Sequence, residues 1–128
     1  WIPDAKVLDL FAGSGALGIE ALSRGAASAI FCEKSYKASE ILKRNIEKTH
    51  LEEKSGVITK DYIKALEQIK KQKFDIIFLD PPYKSDFVGK AVSKIVELEM
   101  LDEDGIIVVE TDEEKRLRTV KNNKYKYL

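Results

Sequence analysis

The sequence has almost none of the features that hold small secreted proteins together. It contains a single cysteine, Cys32, so no disulfide can form within the chain, and this favours a reducing, intracellular compartment. Cys32 lies in an apolar run and is interpreted as a core residue. No apolar stretch approaches the roughly twenty residues that cross a bilayer, and no signal-peptide pattern is present. The sequence therefore predicts a cytoplasmic protein without a membrane segment.

A surplus of charge of one sign is also missing, because 22 basic residues balance 22 acidic ones. The overall charge therefore gives no sign of a nucleic-acid binder. The distribution is nevertheless uneven, since residues 97–114 include nine acids and no base, and residues 115–128 include six bases and no acid. The basic end could lie on a phosphate backbone, but a solvated edge is the favoured interpretation.

Histidine is nearly absent as well, because His50 is the only one. No set of His, Cys or paired acids accompanies it at the spacing of metal ligands, so His50 is interpreted as a helix-end residue and no metal site is predicted. At 128 residues, the chain fits a single domain with its own hydrophobic core. No linker or internal repeat divides it, so residues 1–128 are interpreted as one domain.

Short apolar runs alternate with amphipathic stretches along the chain. Five runs rich in Val, Ile and Phe predict strands at 6–11, 28–33, 55–60, 74–80 and 105–111. Four stretches between them predict helices at 16–24, 35–49, 61–72 and 87–98. Strands that are apolar on both faces belong to parallel sheets covered by helices. The pattern therefore predicts an α/β fold, a doubly wound and mostly parallel sheet with helices on both faces, which binds ligands at the carboxyl ends of its strands.

The stretch VLDLFAGSGALG connects the first predicted strand to the first helix. Gly13, Gly15 and Gly18 satisfy G-x-G-x-x-G, and Glu33 ends the next strand, where an acid would hold ribose hydroxyls. A dinucleotide and S-adenosylmethionine both fit this pattern. Asp9 favours the second, because a carboxylate there would repel a pyrophosphate but could accept a hydrogen bond from the ammonium group of a methionine moiety. The alternative for Asp9 is that it fixes the loop by accepting from backbone amides.

A third carboxylate, Asp61, follows the third strand and precedes Tyr62. It is interpreted as the N-cap of the third helix, as an acceptor for an adenine amino group with a neighbouring residue covering the ring, or as both. Asp9, Glu33 and Asp61 would then lie at the ends of three consecutive strands. They would form one side of the ligand crevice.

The tetrapeptide DPPY, Asp80 to Tyr83, follows the fourth strand, which in this topology lies beside the first. An exocyclic base amine is a poor nucleophile because its lone pair is delocalised into the ring, so transfer to it requires acceptors for its hydrogens. The Asp80 carboxylate and the Pro81 carbonyl could be those acceptors, since prolines fix the backbone, and Tyr83 could stack on a flipped base. The alternative is a strand stop with Tyr83 packed on the fold.

Taken in order, Asp9, FAGSG, Glu33, Asp61 and DPPY resemble a class I S-adenosylmethionine-dependent amino-methyltransferase. The stretch LDLFAGSGALGIEALSRGA with FLDPPY resembles the RsmD family, bacterial methyltransferases of the small-subunit (16S) rRNA that modify guanine N2. The resemblance covers about Asp4 to Thr111 and implies a Rossmann-like fold, methyl transfer from S-adenosylmethionine, and rRNA or the assembled small subunit as partner. It implies guanine binding by Asp80, Pro81, Pro82 and Tyr83, and cofactor binding by Asp9, Phe11, Ala12, Gly13, Gly15, Glu33, Lys34, Asp61 and Tyr62.

Two departures from the family lead us to expect a fragment. Members carry a basic segment ahead of the first strand, which is missing before Trp1, and they end in an antiparallel strand pair, of which only KYKYL could be a start. Three other functions stay open. A DNA adenine-N6 methyltransferase shares DPPY, but 128 residues leave no room for a target-reading domain. A nicotinamide-dependent oxidoreductase shares the glycines but leaves DPPY unexplained. The third alternative is an RNA-binding module that has kept the fold without catalytic activity. We expect a monomer.

Overall fold

A computed structural model describes residues 2–81, 87–110, 117–121 and 126–127, with side chains at 2–81 and 87–109. Its strands are β1 (Lys6–Asp9), β2 (Ser28–Cys32), β3 (Ser55–Ile58), β4 (Phe74–Leu79), β5 (Leu101–Glu110), β6 (Leu117–Lys121) and β7 (Lys126–Tyr127). Its helices are α1 (Ala16–Ser23), α2 (Tyr36–Lys48), α3 (Tyr62–Gln68) and α4 (Phe87–Glu97), and a 3-10 turn at Glu52–Lys54 precedes β3. None of the helices in the described ranges is long and apolar enough to cross a membrane.

The strands form one sheet in the order β3-β2-β1-β4-β5-β6-β7. Strands β1 to β5 are parallel, and the chain order reverses between β1 and β4. Asp9 pairs with Phe31 of β2 on one side and with Phe78 of β4 on the other. The predicted doubly wound α/β fold is therefore confirmed, and its switch point lies at the carboxyl end of β1.

The helices cover both faces of the sheet. Neighbouring residues of each strand point to opposite sides, so each strand packs against helices on both faces. Val7 faces α1 and α2 in a core that includes Leu42. Leu8, the next residue, faces α3 and α4 in a second core that includes Leu66 and Ile95. Strands buried on both faces are the reason why the apolar runs predicted a parallel sheet.

Local signals set the ends of the helices close to the predicted positions. Ser35 caps α2, where its side chain accepts a hydrogen bond from the Ala38 N–H at 3.2 Å. Gly25, with φ +106°, follows α1 in the left-handed region that ends helices. His50, with φ +58°, follows α2, which confirms it as a helix-end residue. Local signals thus account for the start of α2 and for the ends of α1 and α2, whereas α3 ends at Gln68, four residues before the predicted end at 72.

The carboxyl-terminal strands correct one expectation. We expected the chain to lack an antiparallel strand pair, but β6 pairs antiparallel with β5 (Ile107 with Val120), and β7 pairs antiparallel with β6 (Val120 with Tyr127). An antiparallel strand near a sheet edge needs only one apolar face, so these short strands, rich in basic residues, carry no continuous apolar run. Part of the basic end of the chain therefore forms two strands of the sheet.

Candidate functional site

The glycine loop leaves β1 at the switch point and is held to both neighbouring strands. The Leu10 N–H donates to the Phe78 carbonyl of β4 at 3.1 Å, and the Ala12 N–H donates to the Cys32 carbonyl of β2 at 2.9 Å. The Gly15 N–H then closes a turn onto the Ala12 carbonyl at 2.8 Å, and α1 begins at the next residue. The loop is therefore fixed across the carboxyl ends of three adjacent strands.

The three glycines of the motif have different tasks. Gly13 has φ +55°, and a Cβ placed on it would meet nothing within 4 Å, so its backbone borders open space. A Cβ on Gly15, which has φ +88°, would overlap the Leu42 side chain of α2. A Cβ on Gly18 would overlap the Phe31 ring of β2. Gly13 is thus the position where a ligand can approach the backbone, whereas Gly15 and Gly18 allow α1 to pack closely.

Asp9 lies buried at the end of β1 and is only half satisfied. Its Oδ2 accepts a hydrogen bond from the Gly18 N–H at 3.2 Å. Its Oδ1 is buried and has no hydrogen-bond partner among the described residues. Burial raises the pKa of the Asp9 carboxyl from 3.8 to about 7; the Gly18 hydrogen bond opposes this, and the Asp80 and Glu33 carboxylates add to it. The interpretation of Asp9 as a loop-fixing residue accounts for one of its oxygens and leaves the other for a donor.

Glu33 connects the glycine loop to the start of α2. Its Oε1 accepts from the Gly13 N–H at 2.9 Å, and its Oε2 accepts from the Ser35 N–H at 2.8 Å. Each carboxylate oxygen can accept more than one hydrogen bond, so these two contacts leave acceptor sites for hydroxyl groups. Lys34, the next residue, is exposed at the same edge of the sheet.

Asp61 is the N-cap of α3, as one interpretation of the sequence held. Its Oδ1 accepts from the backbone N–H groups of Ile63 and Lys64 at 3.0 and 3.1 Å. The adjacent Tyr62 is half-buried, and burial and the Asp61 carboxylate raise its hydroxyl pKa. Asp61 thus supports the helix with one oxygen, and no cap contact involves the other.

An aromatic cluster, formed by Phe11, Tyr62 and Phe87, joins the glycine loop to α3 and α4. The Phe11 ring centroid lies 5.2 Å from that of Tyr62 and 6.2 Å from that of Phe87. Tyr62 and Phe87 meet edge to face at 5.5 Å. The sequence analysis predicted a helix from residue 87 but did not predict this contact of Phe87 with the loop. Its position soon after DPPY was the signal that could have found it.

Asp80 and Pro81 follow β4 beside the glycine loop. Asp80 is exposed and Pro81 is half-buried, whereas Pro82 and Tyr83 lie outside the described residues. The Asp80 carboxylate raises the pKa of Asp9, so the two carboxyl groups act on each other across the boundary between β1 and β4. With Glu33, they give this edge of the sheet a negative potential that suits a cation and opposes a pyrophosphate.

The fold thus brings most of the predicted site residues to one edge of the sheet. The described ones there are Asp9, Phe11, Ala12, Gly13, Gly15, Glu33, Lys34, Asp61, Tyr62, Asp80 and Pro81. In the same described ranges, no group of three or more His, Cys, Asp or Glu is arranged to hold a metal ion. The arrangement combines open space at the Gly13 backbone, an aromatic cluster and carboxylate acceptors at one edge of the sheet.

A doubly wound sheet with a glycine loop after β1 and acids at the following strand ends is the Rossmann-like fold of class I methyltransferases. Within that class, the chain belongs to the RsmD family, whose family model, described as Conserved hypothetical protein 95, matches residues 1–127.

Two curated relatives and one solved structure show the similarity. YlbH of Bacillus subtilis (strain 168), provisionally named an rRNA methyltransferase, is 46% identical over 112 residues, which are 86% of this chain and 61% of YlbH. Ribosomal RNA small subunit methyltransferase D of Haemophilus influenzae is 37% identical over 124 residues, 95% of this chain and 64% of that protein. The structure of Escherichia coli yhhF, provisionally titled a methyltransferase, aligns with a TM-score of 0.81 at 34% identity and covers 88% of this chain and 63% of that one. The chain thus spans about three-fifths of the length of these relatives.

Proposed function

We propose that the chain binds S-adenosylmethionine and that the protein transfers its methyl group to the exocyclic N2 of a guanine in small-subunit rRNA. The observation that carries the proposal is the convergence of Asp9, Glu33 and Asp61 with Asp80–Pro81 on the two sides of the switch point. Rossmann-like sheets bind ligands at this location.

The residues on the cofactor side fit the parts of S-adenosylmethionine in turn. The buried Oδ1 of Asp9 lacks a donor within the described ranges, and an ammonium group would supply one. Glu33 holds the Gly13 N–H and keeps acceptor sites for ribose hydroxyls. Asp61 caps α3 through Oδ1 and would accept from the adenine amino group through its other oxygen. Phe11 and Tyr62 offer aromatic walls for the ring.

Charge separates this ligand from a dinucleotide. A nicotinamide dinucleotide would bring a pyrophosphate against the carboxylates of Asp9, Glu33 and Asp80, whose mutual repulsion already contributes to the raised pKa of Asp9. A ligand with an ammonium group and a sulfonium centre would relieve that repulsion. This favours the methyl donor over the oxidoreductase alternative.

The Asp80–Pro81 side would hold the acceptor amine. The bound cofactor would supply the activated methyl group, and the protein would orient the amine. The Asp80 carboxylate and the Pro81 carbonyl would accept the amine hydrogens and so draw the nitrogen lone pair out of conjugation with the ring. Tyr83 and Pro82, outside the described residues, would contact the base. Positioning of this kind supplies much of the rate in group transfer.

The RNA substrate is inferred from the family. The curated relatives bear names of rRNA and small-subunit rRNA methyltransferases, and guanine N2 is the acceptor that the family resemblance implies. DPPY alone also fits a DNA adenine-N6 enzyme, so the acceptor must be identified by experiment. A monomeric state and a cytoplasmic location stay predictions.

Two experiments test the proposal. Isothermal titration should detect S-adenosylhomocysteine and not NAD, and tight binding of NAD alone would end the proposal. In the full-length protein, Asp80→Ala should abolish methylation of small subunits or naked rRNA while cofactor affinity stays within twofold. Asp104→Ala, an exposed acid in β5, is the matched control and should keep full activity. An active Asp80→Ala protein would show that Asp80 is not the acceptor.

A further inference from the structure

The outer face of α2 presents a line of cations. Leu42 and Ile46 hold the helix against the sheet, so the opposite side faces solvent. Lys37, Ile41, Arg44 and Lys48 are spaced four, three and four residues apart. At about 100° per residue, they fall within a wedge of roughly 60° on the helix surface. We call these four residues the α2 stripe.

The cations of the stripe are not paired with acids among the described residues. Some basic side chains elsewhere are paired, as Arg24 is with Glu20 at 2.7 Å and Lys94 is with Glu67 at 2.8 Å. On α2 itself, Lys43 lies 3.8 Å from Glu40, off the stripe. Lys37, Arg44 and Lys48, by contrast, form no ion pair with another described residue. They are therefore available to an outside anion.

Exposed apolar groups coincide with these cations. Only three large hydrophobic side chains are strongly exposed in the described part of the chain, Tyr36 at 79%, Ile41 at 50% and Val96 at 37%. Ile41 lies within the α2 stripe, and Tyr36 lies next to its first cation. A face with free cations and an exposed aromatic ring is the combination that nucleic-acid surfaces use, since cations neutralise phosphates and rings stack on bases.

The α2 stripe begins beside the candidate site. The Ser35 N–H donates to Glu33 at 2.8 Å, so the start of α2 is joined to the cofactor side of the cleft. The Asn45 amide donates to the Ser14 carbonyl at 2.9 Å, which holds the last turns of α2 against the glycine loop. From Lys37 to Lys48, the stripe extends for about 16 Å at 1.5 Å per residue. A strand of substrate could lie along it while one nucleotide occupies the cleft.

We propose that the α2 stripe binds the phosphate backbone of the RNA substrate and that Tyr36 stacks on one of its unpaired bases. The inference rests on the proposed function, since it takes the substrate to be RNA. Lys37, Arg44 and Lys48 each contact a phosphate and release its condensed counterions. Glu40, Glu47 and Tyr36 lie on the same flank of the stripe at about 100° per residue, so the phosphates follow the stripe itself and only the stacked base reaches that flank.

The test compares two triple variants of the chain. In the first, Lys37, Arg44 and Lys48 become Ala, which keeps helix propensity high. In the matched control, the exposed Lys70, Lys71 and Lys90 become Ala, which removes the same charge from another part of the surface. Binding of small-subunit rRNA transcribed in vitro is measured by filter binding or fluorescence polarisation between about 50 and 200 mM salt.

We expect the stripe variant to bind rRNA at least tenfold more weakly than the parent. Three lost phosphate contacts at about 0.7 each should lower the slope of log K against log salt by about 2. The control should change affinity less than twofold, and S-adenosylhomocysteine affinity should be equal in all three proteins. Tyr36→Ala should weaken rRNA binding about fivefold or more, and Tyr36→Phe should preserve it because the ring remains.

Distinct results overturn the inference or the function beneath it. If the parent binds S-adenosylhomocysteine and the stripe variant keeps the parent's rRNA affinity and salt slope, the inference is wrong. The inference is also wrong if the parent binds S-adenosylhomocysteine but no rRNA at the lowest salt. It is wrong as well if polyglutamate at equal charge displaces the rRNA, because that result would indicate a surface for acidic proteins. Absence of S-adenosylhomocysteine binding in the parent would refute the proposed function instead.

Discussion

The buried carboxyl of Asp9 should make the fold less stable as pH rises. Its pKa is raised by burial from 3.8 to about 7. Between these two values the folded chain keeps the proton and the unfolded chain releases it, so unfolding becomes more favourable with each pH step. At about 1.4 kcal/mol per pKa unit, the ionised Asp9 costs about 4 kcal/mol above pH 7. The cost is smaller at pH 5 and vanishes below the pKa of the unfolded chain.

Asp9→Asn isolates this effect because it keeps the size of the side chain and removes the charge. Urea unfolding of parent and variant should show the variant gaining about 3 kcal/mol relative to the parent between pH 5 and pH 8, with most of the change complete by pH 7. The amide NH₂ that replaces Oδ1 adds an offset of about 1–3 kcal/mol, but that offset does not vary with pH. The pH dependence is therefore the diagnostic quantity.

The control for this experiment is Asp4→Asn, an exposed carboxylate at a position with φ +63° that Asn also tolerates. It should leave the pH profile of the parent unchanged. A difference between Asp9→Asn and the parent that stays flat from pH 5 to pH 8 would refute the reasoning, because Asp9 would then not titrate in that range. If Asp9 accepts the ammonium group of the cofactor, the more stable variant should bind S-adenosylhomocysteine at least tenfold more weakly.

Three further predictions concern packing, capping and reactivity. Gly18→Ala should lower the free energy of unfolding in urea by about 1–3 kcal/mol, because the new Cβ overlaps Phe31. Gly89→Ala, whose Cβ meets nothing within 4 Å, should raise it by up to about 1 kcal/mol. Equal effects of the two substitutions would contradict the packing argument. Asp61→Ala should lose about 1 kcal/mol in thermal unfolding and Asp61→Ser much less, and equal losses would show that capping is not its contribution. Burial raises the Cys32 thiol pKa to about 12, so Cys32 should react with Ellman's reagent at pH 8 only after unfolding, and fast native reaction would show that β2 opens.

The positions of the acidic residues were predictable because they depend on strand ends alone. Asp9, Glu33 and Asp61 each end or follow a short apolar run, and parallel strands bring their carboxyl ends to one edge. No knowledge of side-chain contacts was needed for that step. The roles that these residues take in catalysis or binding stay predictions.

The contacts between the site residues were not predictable, because they depend on register and loop path. Glu33 reaches the Gly13 N–H across 20 residues of sequence, and no local pattern encodes that hydrogen bond. Phe87 meets Phe11 through the packing of α4 against the loop after β1. In an amphipathic helix, a phenylalanine is first interpreted as core. The different roles of the three glycines could not be predicted for the same reason, since Leu42 and Phe31, which pack against Gly15 and Gly18, are distant from them in sequence.

The terminal strands were missed for a different reason. β6 pairs with β5 through backbone hydrogen bonds that any residue can make, and its sequence, LRTVK, has no continuous apolar run. The length of β5 was missed likewise, because its first residues, LDED, are acidic yet lie in the strand, with Leu101 paired with Phe74. Periodicity detects strands through their side chains, so polar strands escape it.

The pairing of β1 with β4 makes the candidate site a late product of folding. Val7 pairs with Ile76, so the chain must form or bypass two strands and three helices before the two sides of the cleft meet. Contacts that are so distant in sequence carry a large loop-closure cost and are slow to form. A nascent chain that has not yet supplied β4 holds the glycine loop without its opposite wall. The residues on the two sides of the switch point would consequently meet only once the central sheet is complete.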